Sequence, residues 1–194
     1  MLVGITGGIG SGKTTLSNLF RAKGYLVYDS DLEARRLQNE HPQIKEQIQA
    51  LFGESIYTPQ GLNRAELAVL VFGNHDLLSK LNDIVHPIVK EDIVRWKLMH
   101  IQESILFVES AILLESGFDS LVDKVLLVTA SEELRMSRVI RRDKATPEKV
   151  RARMLNQLPE IEKMKRADLI ISSDDNLLKE TKVEEVVDRL LLLK

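Results

Sequence analysis

The residues Gly7-Gly8-Ile9-Gly10-Ser11-Gly12-Lys13-Thr14 set a glycine, four intervening residues and then a Gly-Lys-Thr triplet. That spacing suits phosphate binding. The glycines let the backbone curl so that successive N–H groups face an anion, and the helix that follows adds the positive end of its dipole. Lys13 is placed to supply a point charge to β and γ oxygens, and the Thr14 hydroxyl to ligate the magnesium that bridges them. The expected nucleotide contacts are Gly8, Gly10, Ser11, Gly12, Lys13, Thr14 and Thr15.

Further polar residues could act beside this loop. Asp29-Ser30-Asp31 follows an apolar run, so both carboxylates belong at the end of a strand. Asp31 could take a proton from an attacking hydroxyl, or it could simply stabilise a helix start, because Ser30-Asp31-Leu32-Glu33 also reads as a capping box. Arg35, one helical turn on, is either a functional cation or the partner of Asp31 in a surface ion pair. Ile105-Leu106-Phe107-Val108-Glu109 is an apolar strand ending in an acid, the place where nucleotide-hydrolysing folds put a carboxylate near magnesium. Leu113 and Leu114 read as core or as the wall of a substrate pocket. Between Arg135 and Arg153 lie eight basic and two acidic residues, with Arg135, Arg138 and Arg142 spaced to share one helix face. Arginine's planar fork suits the charge that spreads over a phosphoryl group in transfer. His86 precedes Pro87, which is expected to bend or end a helix and so to expose the histidine.

These side chains need a scaffold. Five buried strands are predicted, at Leu2–Ile5, Tyr25–Tyr28, Ile105–Val108, Val125–Val128 and Leu169–Ile171, each nearly free of polar residues as in a parallel sheet covered on both faces. Helices separate them. Asn63-x-x-Glu66 is a capping box, Ser131-Glu132-Glu133 and Thr146-Pro147 open two more helices, and a closing helix over Leu177 to Leu193 turns Val183, Val186, Val187 and Leu190 inward. The 73 residues from 32 to 104 show helical patterning and no clear strand, too long for a simple crossover. The predicted fold is α/β, a P-loop type parallel five-stranded sheet flanked by helices. Its core is 1–31 and 105–194, with a basic lid at about 138–158 and a helical acceptor-binding insertion at 32–104.

Composition narrows the function. A chain of 194 residues, 44% hydrophobic and 29% charged, has enough apolar material for one sizeable core. No apolar run approaches the roughly 20 residues that span a bilayer. The start Met-Leu-Val-Gly-Ile is not expected to be a secretory signal. The absence of cysteine fits a reducing, cytoplasmic compartment and excludes thiolate metal sites. A net charge of −2 argues against nucleic-acid coating.

The order of these pieces resembles the dephospho-coenzyme A kinase family. The resemblance runs over nearly the whole chain: Gly4 to Lys13, Asp29-Ser30-Asp31 with Arg35, His86-Pro87, Leu113-Leu114-x-x-Gly117, Arg138-x-x-Arg141-Arg142-Asp143, Arg153-x-x-x-Gln157 and Ala167-Asp168-x-Ile170-Ile171. It implies transfer of the γ-phosphoryl of ATP, with Mg2+, to the ribose 3′-hydroxyl of dephospho-coenzyme A. Asp31 would then be the base or orienter for that hydroxyl, and Lys13 and Arg138 the phosphate clamps. Arg142 would lie by the ATP base or phosphates, and Arg35, His86, Leu113 and Leu114 on the acceptor side. The chain departs from the family pattern at Glu109, where Asp is common, at Ala111, where Pro is common, and at Ser172-Ser173-Asp174, which usually carries Asn. The rival readings are another small-molecule P-loop kinase and a regulatory nucleotide switch. Against the switch, the chain has no Asp-x-x-Gly and no Asn-Lys-x-Asp.

Overall fold

The computed structural model describes residues 1–174 and 181–193. In chain order the elements begin β1 (Leu2–Thr6), α1 (Lys13–Ala22), β2 (Val27–Asp29), α2 (Ser30–Glu40), α3 (Pro42–Phe52), β3 (Tyr57–Thr58) and β4 (Gly61–Leu62). They continue with α4 (Arg64–Val71), α5 (His75–Met99), β5 (Leu106–Glu109), β6 (Lys124–Thr129), α6 (Glu132–Asp143), α7 (Pro147–Leu155), α8 (Glu160–Arg166), β7 (Leu169–Ser172) and α9 (Thr181–Leu192). The part of the closing helix predicted from Leu177 to Glu180 lies outside the described residues. Two compact units divide the chain, one of Met1–Asp29 with Lys97–Lys194, the other of Ser30–Trp96. The sequence reading drew those borders at 32 and 104. The upstream border falls earlier because α2 starts at Ser30, the residue after β2 ends.

The first unit is built on a five-stranded sheet in the order β2-β5-β1-β6-β7, with every described pairing parallel. Sequentially adjacent β1 and β2 are separated in space by β5, so the chain reverses its winding beside β1, and the loop after β1 opens at the crevice where such sheets bind ligands. Glu109 of β5 lies in register with Ile5 on one side and Asp29 on the other, at this carboxyl edge.

Alternation along the strands decides what the sheet buries. Val3, Ile5, Phe107, Leu126 and Val128 meet Leu16 and Phe20 of α1 and Val183, Val186, Val187 and Leu190 of α9 in one buried cluster. The α9 residues recur at i, i+3, i+4 and i+7, the predicted apolar stripe. Phe20 stacks on Phe107 with centroids 4.0 Å apart, and Tyr25 meets both rings edge-on at 6.0 and 5.9 Å. Tyr25 is not the first residue of a strand, as predicted. Its N–H donates back to the Phe20 carbonyl at 3.0 Å, which ties it to the end of α1 and delays the ladder until Val27.

The second unit holds α2 to α4, most of α5, and a minimal antiparallel hairpin pairing Tyr57 with Leu62 and Thr58 with Gly61. The hairpin was not predicted, because two-residue strands carry no readable period. Its neighbours hold it: the Tyr57 hydroxyl donates to the Gln38 carbonyl at 2.6 Å, and the Leu62 N–H to Asn39 Oδ1 at 3.0 Å. Asn63 caps α4 as predicted, its Oδ1 accepting from the Glu66 N–H at 3.2 Å, while Glu66 Oε2 accepts from Asn63 Nδ2 at 2.8 Å and the Asn63 N–H donates to the Ile56 carbonyl at 2.8 Å. Pro87 does not end its helix. α5 runs from His75 to Met99 through it, and the buried Val85, Ile88, Val89 and Ile93 supply the packing that offsets an interior proline, a cost of about 3 kcal/mol.

Candidate active site

The loop between β1 and α1 is the centre of the first unit's site. Gly10 and Gly12 take φ values of 81° and 98°, a left-handed path open to glycine, and α1 starts at Lys13 directly after it. The Lys13 side chain folds back along the loop, its Nζ donating to the Gly7 carbonyl at 2.8 Å and the Gly8 carbonyl at 3.1 Å. This buried ammonium is thereby aimed at the loop mouth. Thr14 and Thr15 occupy the first turn of α1, where backbone N–H groups have no intrahelical acceptor and remain available to phosphate.

Two other loop amides are already engaged. Ser11 N–H closes a turn on the Gly8 carbonyl at 3.0 Å, and Ile9 N–H donates to Gln157 Oε1 at 2.8 Å. Gln157 also donates through Nε2 to the Ala111 carbonyl at 3.0 Å, so one side chain ties the phosphate loop to the segment after β5. That segment is fixed in turn by Glu115, whose Oε1 accepts from Leu158 N–H at 2.9 Å and lies 2.9 Å from Nζ of Lys163, a fully buried lysine. The lysine approaches outside hydrogen-bonding angles, so the pairing is coulombic. Sequence reasoning quoted Gln157 and Ser173 only inside motifs and gave no role to Glu115 or Lys163. Their signal is long-range pairing, which a local pattern does not carry.

Thr14 Oγ1 donates to Glu109 Oε1 at 2.7 Å, joining the two groups predicted to lie near magnesium. A hydroxyl and a carboxylate are hard oxygen donors. Magnesium is commonly held by one or two such groups together with water and substrate phosphates, and among the described residues no cluster of three or more acidic, histidine or cysteine side chains offers an all-protein cage. The donor set therefore fits Mg2+ bound with a nucleotide.

The three arginines predicted to share one face of α6 have separate partners. Arg138 donates through Nη1 to Ser173 Oγ at 2.8 Å and the Gly10 carbonyl at 3.3 Å, and through Nη2 to the Ser173 carbonyl at 2.8 Å. Ser173 Oγ donates to the Ser11 carbonyl at 2.6 Å, so the Ser-Ser-Asp departure from the family pattern becomes a strut between the last strand and the loop. Arg142 turns outward, with 61% of its side chain exposed, and chelates Asp143 at 2.6 and 3.1 Å. Arg142, then Arg153, hold the Asp143 carboxyl well below the usual carboxylate range. Arg135 reaches the loop at Gly8.

Leu113 and Leu114, read from sequence as core or pocket wall, are both buried. Leu113 has no exposure, and its methyls fill the space over Gly4, as near as 2.6 Å to where a Cβ would stand. Leu114 is 5% exposed.

Asp31, Arg35 and His86 belong to the second unit. Asp31 is exposed on the first turn of α2, two residues beyond β2. Arg35 serves through its carbonyl, which accepts from Arg64 Nη2 at 2.8 Å, while the neighbouring Arg36 carries the ion pairs, to Glu33, Glu40 and Asp92. His86 is half-buried, not exposed by Pro87. Burial, then the charge of Lys90, push its pKa below the usual 6.5, against an opposing pull from Asp83. A depressed histidine pKa makes protonation oppose folding. The unfolded chain takes the proton first as pH falls through about 6.5, so stability is present above that range and is lost below it. His86→Gln is expected to lose less thermal stability between pH 7 and pH 5 than wild type; an equal loss would assign the effect to another group.

Residues 1–179 match the dephospho-CoA kinase family model. The chain is 41% identical over 155 residues to the dephospho-CoA kinase of Porphyromonas gingivalis, covering 80% of this chain and 76% of that one. A crystal structure from Thermus thermophilus is similar at TM-score 0.82 and 34% identity over 98% of this chain and 96% of that one. The dephospho-CoA kinase of Campylobacter jejuni is similar at TM-score 0.72 and 25% identity, over 97% and 96% of the two chains.

Proposed function

This chain belongs to the dephospho-CoA kinase family, and we propose that it performs that family's reaction with Asp31, Lys13 and Arg138 as its working groups. The reaction is ATP-dependent phosphorylation of the ribose 3′-hydroxyl of dephospho-CoA, giving CoA and ADP, the last step of CoA biosynthesis. ATP and dephospho-CoA are its substrates. Among the described residues no helix is long and apolar enough to cross a membrane, and we place the reaction in the cytoplasm.

The observation that carries this reading is the loop itself: a buried Lys13 ammonium pinned to the Gly7 and Gly8 carbonyls, with the Thr14 hydroxyl on Glu109 beside it. Pinning Lys13 removes the entropy cost of ordering a long side chain when the triphosphate arrives. Its charge, with backbone N–H groups at the start of α1, then stabilises the γ-phosphoryl as charge spreads over its oxygens. Thr14, with Glu109 beside it, would hold magnesium, which would supply positive charge against that of the triphosphate. Asp31 accepts the 3′-hydroxyl proton as the new O–P bond forms and the bond to ADP breaks. Arg138 clamps phosphate from α6, and Arg142 enters as the segment 138–158 closes to exclude water. Arg35 and His86 bind the acceptor. The 32–104 insertion serves that acceptor side.

The test is ADP release with and without dephospho-CoA, followed by phosphorus NMR of the product. Acceptor-dependent release and a new 3′-phosphate are expected. ADP release indifferent to dephospho-CoA would sink the reading.

A further inference from the structure

Arg135 lies in an unusual position for a cation. Its side chain is only 12% exposed, and its sole partner among the described residues is Glu160, with Nη1 3.6 Å from Oε2, beyond hydrogen-bond reach. The buried Nε of Arg135 and the buried Oε1 of Glu160 both lack a hydrogen-bond partner in the protein. A guanidinium carries five donors in a rigid fork, and burying such a group without acceptors is unfavourable unless something else supplies them.

Its surroundings say what that is. A methyl group built on Gly8 would stand 1.8 Å from Arg135 Nη1, so the guanidinium rests directly on the phosphate loop. The carbonyl of the same Gly8 receives Lys13 Nζ at 3.1 Å. Two cations thus converge on one peptide, and Lys13 is the loop residue that serves the β and γ phosphates. The other two arginines of α6 have hydrogen-bonded partners, Arg138 on Ser173 and Gly10, Arg142 on Asp143. Arg135 alone among them keeps its fork unbonded at the loop.

We propose that Arg135 is a ligand of the terminal phosphoryl group of ATP, and that Glu160 holds it beside Gly8 until the nucleotide arrives. The inference rests on the kinase reading. A planar fork matches two oxygens of a phosphoryl group in a way an ammonium does not. The 3.6 Å pair with Glu160 is loose enough to yield to the negative charge of a triphosphate at the loop, and Glu160 returns the arginine to place after ADP leaves. ATP is thereby distinguished from ADP by this residue.

Calorimetric titration of wild type, Arg135→Gln, Arg135→Lys and Glu160→Gln with magnesium and either β,γ-methylene-ATP or ADP tests the assignment. Arg135→Gln is expected to weaken the ATP analogue about 10- to 100-fold, the range of a charged hydrogen bond, and ADP by less than about threefold. Arg135→Lys should recover part of the ATP loss. Glu160→Gln should bind the ATP analogue a few-fold more tightly, since a competing carboxylate is removed. Thermal unfolding without nucleotide should show Arg135→Gln at least as stable as wild type. Equal weakening of ATP analogue and ADP, with lowered stability, would make Arg135 a brace for the loop and overturn the proposal, as would unchanged affinity for both. Binding is read without acceptor, so a wild type that fails to phosphorylate dephospho-CoA overturns the function assigned above and not the ATP against ADP contrast.

Discussion

Asp31→Asn is expected to lower kcat by roughly 10² to 10⁴ while leaving ATP affinity within about twofold of wild type, the reach of a positioned acid–base group. The substitution keeps the shape and the hydrogen-bonding oxygen of the side chain and removes the lone pair that takes the proton. It also separates the two roles the sequence allows. A residue that serves only as a charge at the start of α2 loses about 0.3–1 kcal/mol of stability on this change and leaves turnover intact. Asp31 is exposed, on the first turn of a helix that begins the residue after β2. Steady-state kinetics with saturating dephospho-CoA, together with an independent ATP titration, gives both numbers. Full turnover in the variant would leave Asp31 as a helix-start residue and nothing more.

Glu115→Ala is expected to destabilise the first unit by about 3–5 kcal/mol, because it strands the fully buried Lys163 and removes the acceptor of the Leu158 N–H in one step. For a chain of this size that corresponds to a fall in melting temperature of about 10 °C. ATP affinity should fall with it, since the same linker carries Gln157, whose amide joins Ile9 N–H to the Ala111 carbonyl. Replacing the pair together, Glu115→Leu with Lys163→Met, should restore most of the stability, as apolar substitutes for a buried pair commonly do. Thermal unfolding of the single and double variants decides it. A Glu115→Ala protein that melts with wild type would show that the pair contributes nothing net.

The fold was legible where its signals are local. Five short apolar segments announced the strands, and Asn63-x-x-Glu66 and Thr146-Pro147 marked helix starts that the structure places at Arg64 and Pro147. The errors have local causes too. Tyr25 is as apolar as a strand residue, yet its amide turns back to Phe20. Pro87 carries a strong signal to stop, yet buried neighbours on α5 outweigh it. Leu113 reads from sequence as core or pocket wall, and its contact with Gly4 is one that no local pattern shows.

What the sequence determined by itself was the phosphate loop, the five-stranded α/β frame and the family, because each is written in residues close together along the chain. Tertiary structure decided which cation does what. Arg135, Arg138 and Arg142 look equivalent on a helix wheel, and only packing assigns them to Glu160, Ser173 and Asp143 respectively. Ser173 lies 35 residues from Arg138, and Gln157 lies 148 from the loop amide it holds. A guanidinium's direction is set by the acceptors that surround it after folding, and no spacing rule encodes partners so far apart.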